Sequence, residues 1–358
     1  MKQAFDAIGP AELVALTMMV ALNAYVLTGG ADFGGGLWDL LARGRRRTEQ
    51  RALIAHAIGP IWEANHVWLI LVIVLLFTAF PPVFAAMGTV LHIPLSLMLL
   101  GIVLRGSSFV FRAYGSTRAS TRARWGRLFA MASILTPVML GLCVGAIASG
   151  AAGLAASQIN ATPARAGTEF VAVFVHPWLA PFPAAVGGMT LAMFSFLAAV
   201  YLAAAADSDA LRDDFRRRAI VANVAMFIAA ATALWVAGDA APALRQALTT
   251  GRAVPLQAAI ALAAVVALLA LARRSWSLAR IAAGTQASLV VWGWALGQGT
   301  WLMSPMHTIR SAAAPRATLL LLLWILAAGG VLLLPSLAYL YRTFARNPRS
   351  HAPSIRET

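Results

Sequence analysis

The stretch "GPIWEANHVWLILVIVLLF", residues 59–77, sets the problem this chain poses. Its second half is apolar enough to enter a bilayer, while its first half carries Glu63, Asn65 and His66. A charged side chain at the centre of a membrane helix costs about 3 kcal/mol on insertion scales, so an ionisable residue at such depth is a functional candidate by default. Outward from it, the apolar character continues along the whole chain. Of 358 residues, 60% are hydrophobic and 11% charged, with a mean hydropathy of +0.77. That composition excludes a soluble domain and predicts an all-α, polytopic membrane protein. The single cysteine, Cys143, lies in an apolar run and excludes both a disulfide framework and a multi-cysteine metal site. The N-terminus lacks a basic region followed by a short apolar one, so no cleaved signal is expected.

Nine segments are long enough to span: 7–30, 52–80, 83–104, 128–150, 178–206, 219–238, 254–272, 281–303 and 317–341. Each holds roughly 18 or more mostly apolar residues, enough for about 30 Å of hydrocarbon at about 1.5 Å per residue. The loops between them are sharply asymmetric. Of the 28 Lys and Arg residues, 22 fall on one side, in 43–51, 105–127, 212–218, 273–280 and the C-terminal tail. The positive-inside rule then places the N-terminus outside and the C-terminus in the cytoplasm. The net charge of +15 is thereby a topology signal facing anionic lipid, and nucleic acid is excluded as a partner. The expected organisation is a first four-helix bundle over 1–150, a periplasmic loop over 151–177, a second four-helix bundle over 178–303, and a peripheral ninth helix with a cytoplasmic tail over 304–358. "RDDFRRR", residues 212–218, reads as a solvated topology anchor. Trp292, Trp294 and Trp301 read as packing or interfacial aromatics.

Most of the 13 acidic residues fall in loops, termini or span ends, with Glu12 and Asp39 near the two ends of span 1. Only Asp32 and Glu63 remain at depth. Asp32 precedes Arg43 by 11 residues and Glu63 follows Arg51 by 12, so both lie about 17 Å from the basic rim if the spans are helical. The glycines of "TGGADFGGGLWDLL" (28–41) weaken that helix, let another backbone approach, or let it loosen around a polar path. Glu63 and His66, three apart, share a face, and His56 lies near it. Asn65 points elsewhere, about 200° round from Glu63.

Buried carboxyls and histidines suit proton transfer. Glu63-x-x-His66 also has the spacing used in di-iron bundles, but that site needs further carboxylates that the membrane inventory lacks. No metal is therefore expected, although His66, His92 or His56 could each ligate a haem. A stand-alone proton-coupled membrane transporter would also use midplane carboxylates and glycine-interrupted helices.

"TGGADFGGGLWDLLARG" (28–44) followed by "RALIAHAIGPIWEANHVWLILVIVLLFTAFPPVFA" (51–85) resembles subunit II of cytochrome bd-type quinol oxidases. "LRGSSFVFR" (104–112), "RWGRLFAMASILTPVMLGLCVG" (124–145) and "WLMSP" (301–305) are similar to the ends of span 3, span 4 and span 8 of that family. The resemblance implies a non-haem-bearing subunit in the bacterial inner membrane. It implies a partner, subunit I, that holds the haems and the quinol site, and a complex that reduces O2 with quinol. Subunit II would stabilise that partner and contribute a proton route from the cytoplasm; a structural quinone or lipid would be compatible with it. On this match Glu63, Asp32 and His66 line the proton route, and Arg105, Trp62, Asn65 and Trp68 form its frame. Gly29, Ala31 and His66 depart from residues common in the family.

Overall fold

The computed structural model describes residues 9–58, 62–114, 119–162 and 169–346. It is almost entirely helical. In chain order the helices are α1 (Pro10–Leu40), α2 (Arg47–Ile58), α3 (Trp62–Ala79), α4 (Pro81–Val90), α5 (His92–Tyr114), α6 (Ala119–Ala148) and α7 (Ala151–Ala161). They continue as α8 (Phe170–Phe174), α9 (Pro181–Ala205), α10 (Asp209–Ala240), α11 (Pro242–Thr249), α12 (Val254–Ala272), α13 (Trp276–Gln298) and α14 (Arg316–Arg346). A two-stranded antiparallel hairpin, β1 (Trp301–Met303) with β2 (His307–Thr308), separates α13 from α14. Seven helices among the described residues are long and apolar enough to cross a membrane, and α3 with α4 forms a further candidate bent by 115°. The chain is a polytopic all-α membrane protein.

Local chemistry explains the ends. Pro10 opens α1, where its missing N–H costs nothing, and the Glu12 carboxylate accepts from the Gly9 N–H at 2.9 Å. Ser208 caps α10 by accepting from the Leu211 N–H at 3.3 Å. Phe80 stands before Pro81, which disfavours helical geometry at the preceding residue. Its φ of −135° and ψ of 56° end α3 and start α4 in a new direction.

That corner corrects the third expected span. The apolar run from 83 to 104 is divided at Leu91, and the membrane-length helix is α5, further along the chain. The expected span 52–80 is shared between α2 and α3. The expected span 281–303 stops at Gly299, whose φ of 61° and ψ of −121° suit a residue without a Cβ, and the next residues form β1. Within the segment expected as a loop, 151–177, α7 and α8 are helical.

The core lies in two main clusters. One gathers Tyr25, Phe33 and Trp38 of α1 with Phe194, Phe196 and Leu197 of α9, Phe215 of α10 and Leu271 of α12. The other joins the start of α1 to Leu75 and Phe80, to Val83 and Val90 of α4, to Ala152 and Ala155 of α7, and to Met303. The central α9 packs on α1, α6, α10 and α13. By contrast, α14 buries only 6% of its apolar window, and Leu321, Trp324, Leu332 and Tyr339 face outward.

The glycine-rich part of α1 is an unbroken helix, so of the three expectations for it only close approach holds. A Cβ at Gly34 would come within 2.1 Å of the Phe194 carbonyl oxygen on α9. Gly34→Ala must therefore push two helix backbones apart. It is expected to cost about 1–3 kcal/mol, read as a lower thermal midpoint of the purified protein. Gly88→Ala, at a position with nothing within 4 Å, should leave the midpoint unchanged.

Candidate functional site

The site is built where α1, α3, α5 and α6 meet. Asp32, in the glycine-rich stretch of α1, is buried and accepts a hydrogen bond from the Asn65 Nδ2 of α3. The same amide donates to the Thr28 carbonyl at 3.4 Å, one turn before Asp32. Asn65, expected to point away, is thus fully buried against α1. Its angle from Glu63 on α3 does not decide this; the position of α1 does.

Among the described residues Arg105 is the largest fully buried side chain, at 2% exposure, so its guanidinium does not reach the rim. Its guanidinium carbon lies 4.8 Å from the Phe33 ring centroid and 5.5 Å from that of Phe129, a cation between two aromatic faces. Its charge acts on the Asp32 carboxylate, and Asp32 acts back on it. His66 packs beside this pair, its ring centroid 6.2 Å from Tyr25 and 6.0 Å from Phe33. Trp68 packs against the inner core cluster. The side chains of Trp62 and Glu63 lie outside the described residues; both positions belong to the first turn of α3.

Two arrangements escape the sequence reading. Asp39, taken as a residue of the span's end, is 1% exposed. It accepts from Arg112 Nη1 at 3.0 Å and Nη2 at 3.1 Å, a bidentate pair, and Arg51 Nε approaches its carboxylate at 3.7 Å. The signal was present: Asp32 and Asp39 are seven apart on α1, and Arg105 and Arg112 seven apart on α5. Second, "RDDFRRR" is helical and contributes a network instead of a solvated loop. Asp214 accepts from Arg46 Nε at 2.9 Å, Arg46 Nη2 at 2.6 Å and Gln50 Nε2 at 2.8 Å, and Arg218 Nη2 donates to the Gln50 side-chain oxygen at 2.7 Å. Farther along, Asn223 of α10 and Gln286 of α13 exchange amide hydrogen bonds at 3.5 and 3.3 Å.

Among the described residues, no group of three or more His, Cys, Asp or Glu is placed to hold a metal ion. The arrangement offers instead a protonatable carboxyl, Asp32, held by an amide and a buried cation inside a membrane-spanning bundle.

A sequence profile of the family described as cytochrome bd terminal oxidase subunit II matches residues 10–344. The chain belongs to that family. Among its relatives, cytochrome bd ubiquinol oxidase subunit 2 of Bacillus subtilis (strain 168) is 34% identical over 113 residues, 32% of this chain and 32% of the relative. Cytochrome bd-I ubiquinol oxidase subunit 2 of Escherichia coli (strain K12) is 32% identical over 136 residues, 38% of this chain and 35% of the relative. These alignments span about a third of the length of the curated relatives. A chain of the bd oxidase from Geobacillus thermodenitrificans superposes with a TM-score of 0.76 at 19% identity, covering 94% of this chain and 99% of that one. At that identity the likeness establishes the fold. A bacterial respiratory oxidase family and a bundle of membrane-length helices agree with one another, and Asp32, Asn65 and Arg105 lie within the matched region.

Proposed function

We propose that this chain is the non-haem-bearing subunit of a quinol:oxygen oxidoreductase of the bacterial inner membrane. It stabilises a haem-bearing partner, subunit I, and contributes a proton route from the cytoplasm through Asp32, Glu63 and His66. The observation that carries the reading is the buried Asp32–Asn65 pair beside the buried Arg105. Family membership removes the motive for a stand-alone transporter. The subunit 2 relatives are named for ubiquinol oxidation, and quinol and O2 are assigned to this complex on that basis.

Charge and contact together support one orientation. Arg46 with Asp214, Arg51 and Arg112 with Asp39, and Arg274 with Asp213 draw four basic segments to one end of the bundle. Arg310 pairs with Glu12, at 2.6 Å, in the segments assigned to the other end. We place the first end, with the C-terminus, in the cytoplasm, and keep two four-helix groups plus α14 as the working division of the chain. Within the route, Asn65 donates to Asp32, and Arg105 is buried against Phe33, the neighbour of Asp32.

Affinity purification of the tagged chain from its native membrane, with an optical spectrum and partner identification, tests this. A haem-bearing membrane protein of similar size should copurify in equal amount. Expressed without it, the chain should yield no haem absorbance and little stable protein. A stable, partner-free chain carrying stoichiometric haem would overturn the assignment.

A further inference from the structure

The helix that leads into α3 is held in place in an unusual way. α2 has 12 residues, too few to cross a membrane. Among its described side chains only Gln50 and Ile54 are buried, at 4% and 1% exposure, four apart on one face. A helix that docks by apolar packing buries a broad stripe of such residues. α2 fully buries one, with Leu53 and Ala57 half-buried beside it. Polar contacts must therefore set much of its position.

Those contacts converge on α10, in the second bundle. The Gln50 amide is held at both ends: Nε2 donates to Asp214 at 2.8 Å, and Oε1 accepts from Arg218 Nη2 at 2.7 Å. Arg46, next to the first residue of α2, donates to the same carboxylate through two nitrogens, at 2.9 and 2.6 Å. Arg218 is itself fixed. Its guanidinium carbon lies 4.9 Å from the Phe215 ring centroid and 5.6 Å from that of Trp38. Trp38 in turn donates from Nε1 to the Ser195 carbonyl of α9 at 2.8 Å. The members differ in weight. The Arg46 side chain is 41% exposed, so its pair with Asp214 is screened and contributes little. Gln50 is buried, and a buried amide that loses its acceptor bears the full desolvation cost. A second tie runs from Arg51 to the Asp39 carbonyl on α1, at 3.2 and 3.3 Å. Without Asp214, α2 is left to pivot about that tie.

α2 ends at Ile58 and α3 begins at Trp62, so three residues separate them along the chain. A shift of α2 is passed on to the first turn of α3, which carries Glu63. We propose that Asp214, with Gln50 and Arg218, is a positioning group that pins α2 from the second bundle and thereby sets the place of Glu63 relative to Asp32. It rests on the reading of Glu63 as a proton carrier. Asp214 acts only through α2. The second bundle, which carries none of the proton-route residues, gains a part in the reaction in this way.

The test uses the assembled complex, purified with its haem-bearing partner. Asp214→Ala should speed amide hydrogen exchange in α2 about tenfold, the equivalent of about 1.4 kcal/mol. It should slow quinol-driven oxygen uptake about tenfold, as a misplaced proton-transfer group does. Haem content, and reduction of the haems by quinol without oxygen, should stay normal; a general loss of fold would lower both. Asp214→Glu, which keeps the carboxylate, should recover most of the rate, and Arg46→Ala should do less damage than Asp214→Ala. Asp209→Ala, on the same helix at 81% side-chain exposure, should change nothing. Unchanged exchange in α2, faster exchange at an unmodified rate of uptake, or a loss of haem in step with uptake each overturns the proposal. A Glu63→Gln complex that works at full rate removes instead the reading of Glu63, whatever α2 does, so the two failures are distinct. Should Asp214→Ala not assemble, Gln50→Leu decides. It keeps the bulk, removes both amide bonds, and should give the same faster exchange and slower uptake at normal haem content. Any other result overturns the proposal.

Discussion

Arg105→Ala should all but abolish recovery of the assembled complex, whereas Arg124→Ala, at an exposed position, should leave it unchanged. The reason is the company Arg105 keeps. Removing one member of a buried charge arrangement typically costs about 3–5 kcal/mol, because the remaining charge is left without compensation. Here the remaining charge is Asp32, buried and held by Asn65. A void also opens between Phe33 and Phe129, whose faces the guanidinium fills. Arg105→Lys keeps a charge but loses the planar group between the rings, so intermediate recovery is expected. The decisive comparison is a double-mutant cycle. Adding Asp32→Asn to Arg105→Ala removes the stranded carboxylate and should restore part of the yield without restoring oxygen uptake. If the double variant assembles no better than Arg105→Ala alone, the two residues are not partners.

How much of this was legible in the sequence follows from what hydropathy measures. The expected segments 178–206 and 254–272 coincide closely with α9 and α12, because loops at their ends interrupt the apolar run. The segment 83–104 fails for the opposite reason. The run stays apolar across Leu91, where α4 ends and α5 begins, and a hydropathy window has no sensitivity to a helix end. At 281–303 the apolar count runs past Gly299, where the backbone conformation ends the helix.

For the site, scarcity was the useful signal. With 13 acidic residues in the chain, elimination leaves Asp32 and Glu63 at depth, and the structure buries Asp32. Asn65 and Asp39 illustrate what elimination misses. The direction of Asn65 was inferred from its own helix, yet its partner stands on α1. Asp39 was assigned to the rim by its distance along the chain, yet Arg112 and Arg51 enclose it there. A residue near the end of a span is still buried when long cations from two other helices fold over it. Reading pairs of stripes, Asp32 with Asp39 against Arg105 with Arg112, carries more information than reading depths one residue at a time.

Glu63→Gln is expected to slow quinol-driven oxygen consumption by about a hundredfold, the lower range for loss of a positioned proton-transfer group, while the haem content of the complex stays normal. Glu63 occupies the first turn of α3, two residues before Asn65, whose amide is bonded to Asp32. That places its backbone at the same level of the bundle as the buried carboxylate. Gln preserves shape and hydrogen bonding but removes the exchangeable proton. Asp preserves the acid on an arm one methylene shorter, a gap that one bridging water can close. A proton-route role therefore predicts that Glu63→Asp retains much of the rate. A purely structural role predicts the reverse order of damage, because a neutral isostere at depth avoids the cost of burying a charge. Oxygen uptake and haem content measured on both variants separate these cases. A Glu63→Gln complex that consumes oxygen at the unmodified rate would take Glu63 out of the mechanism and leave Asp32 to accept the proton without it.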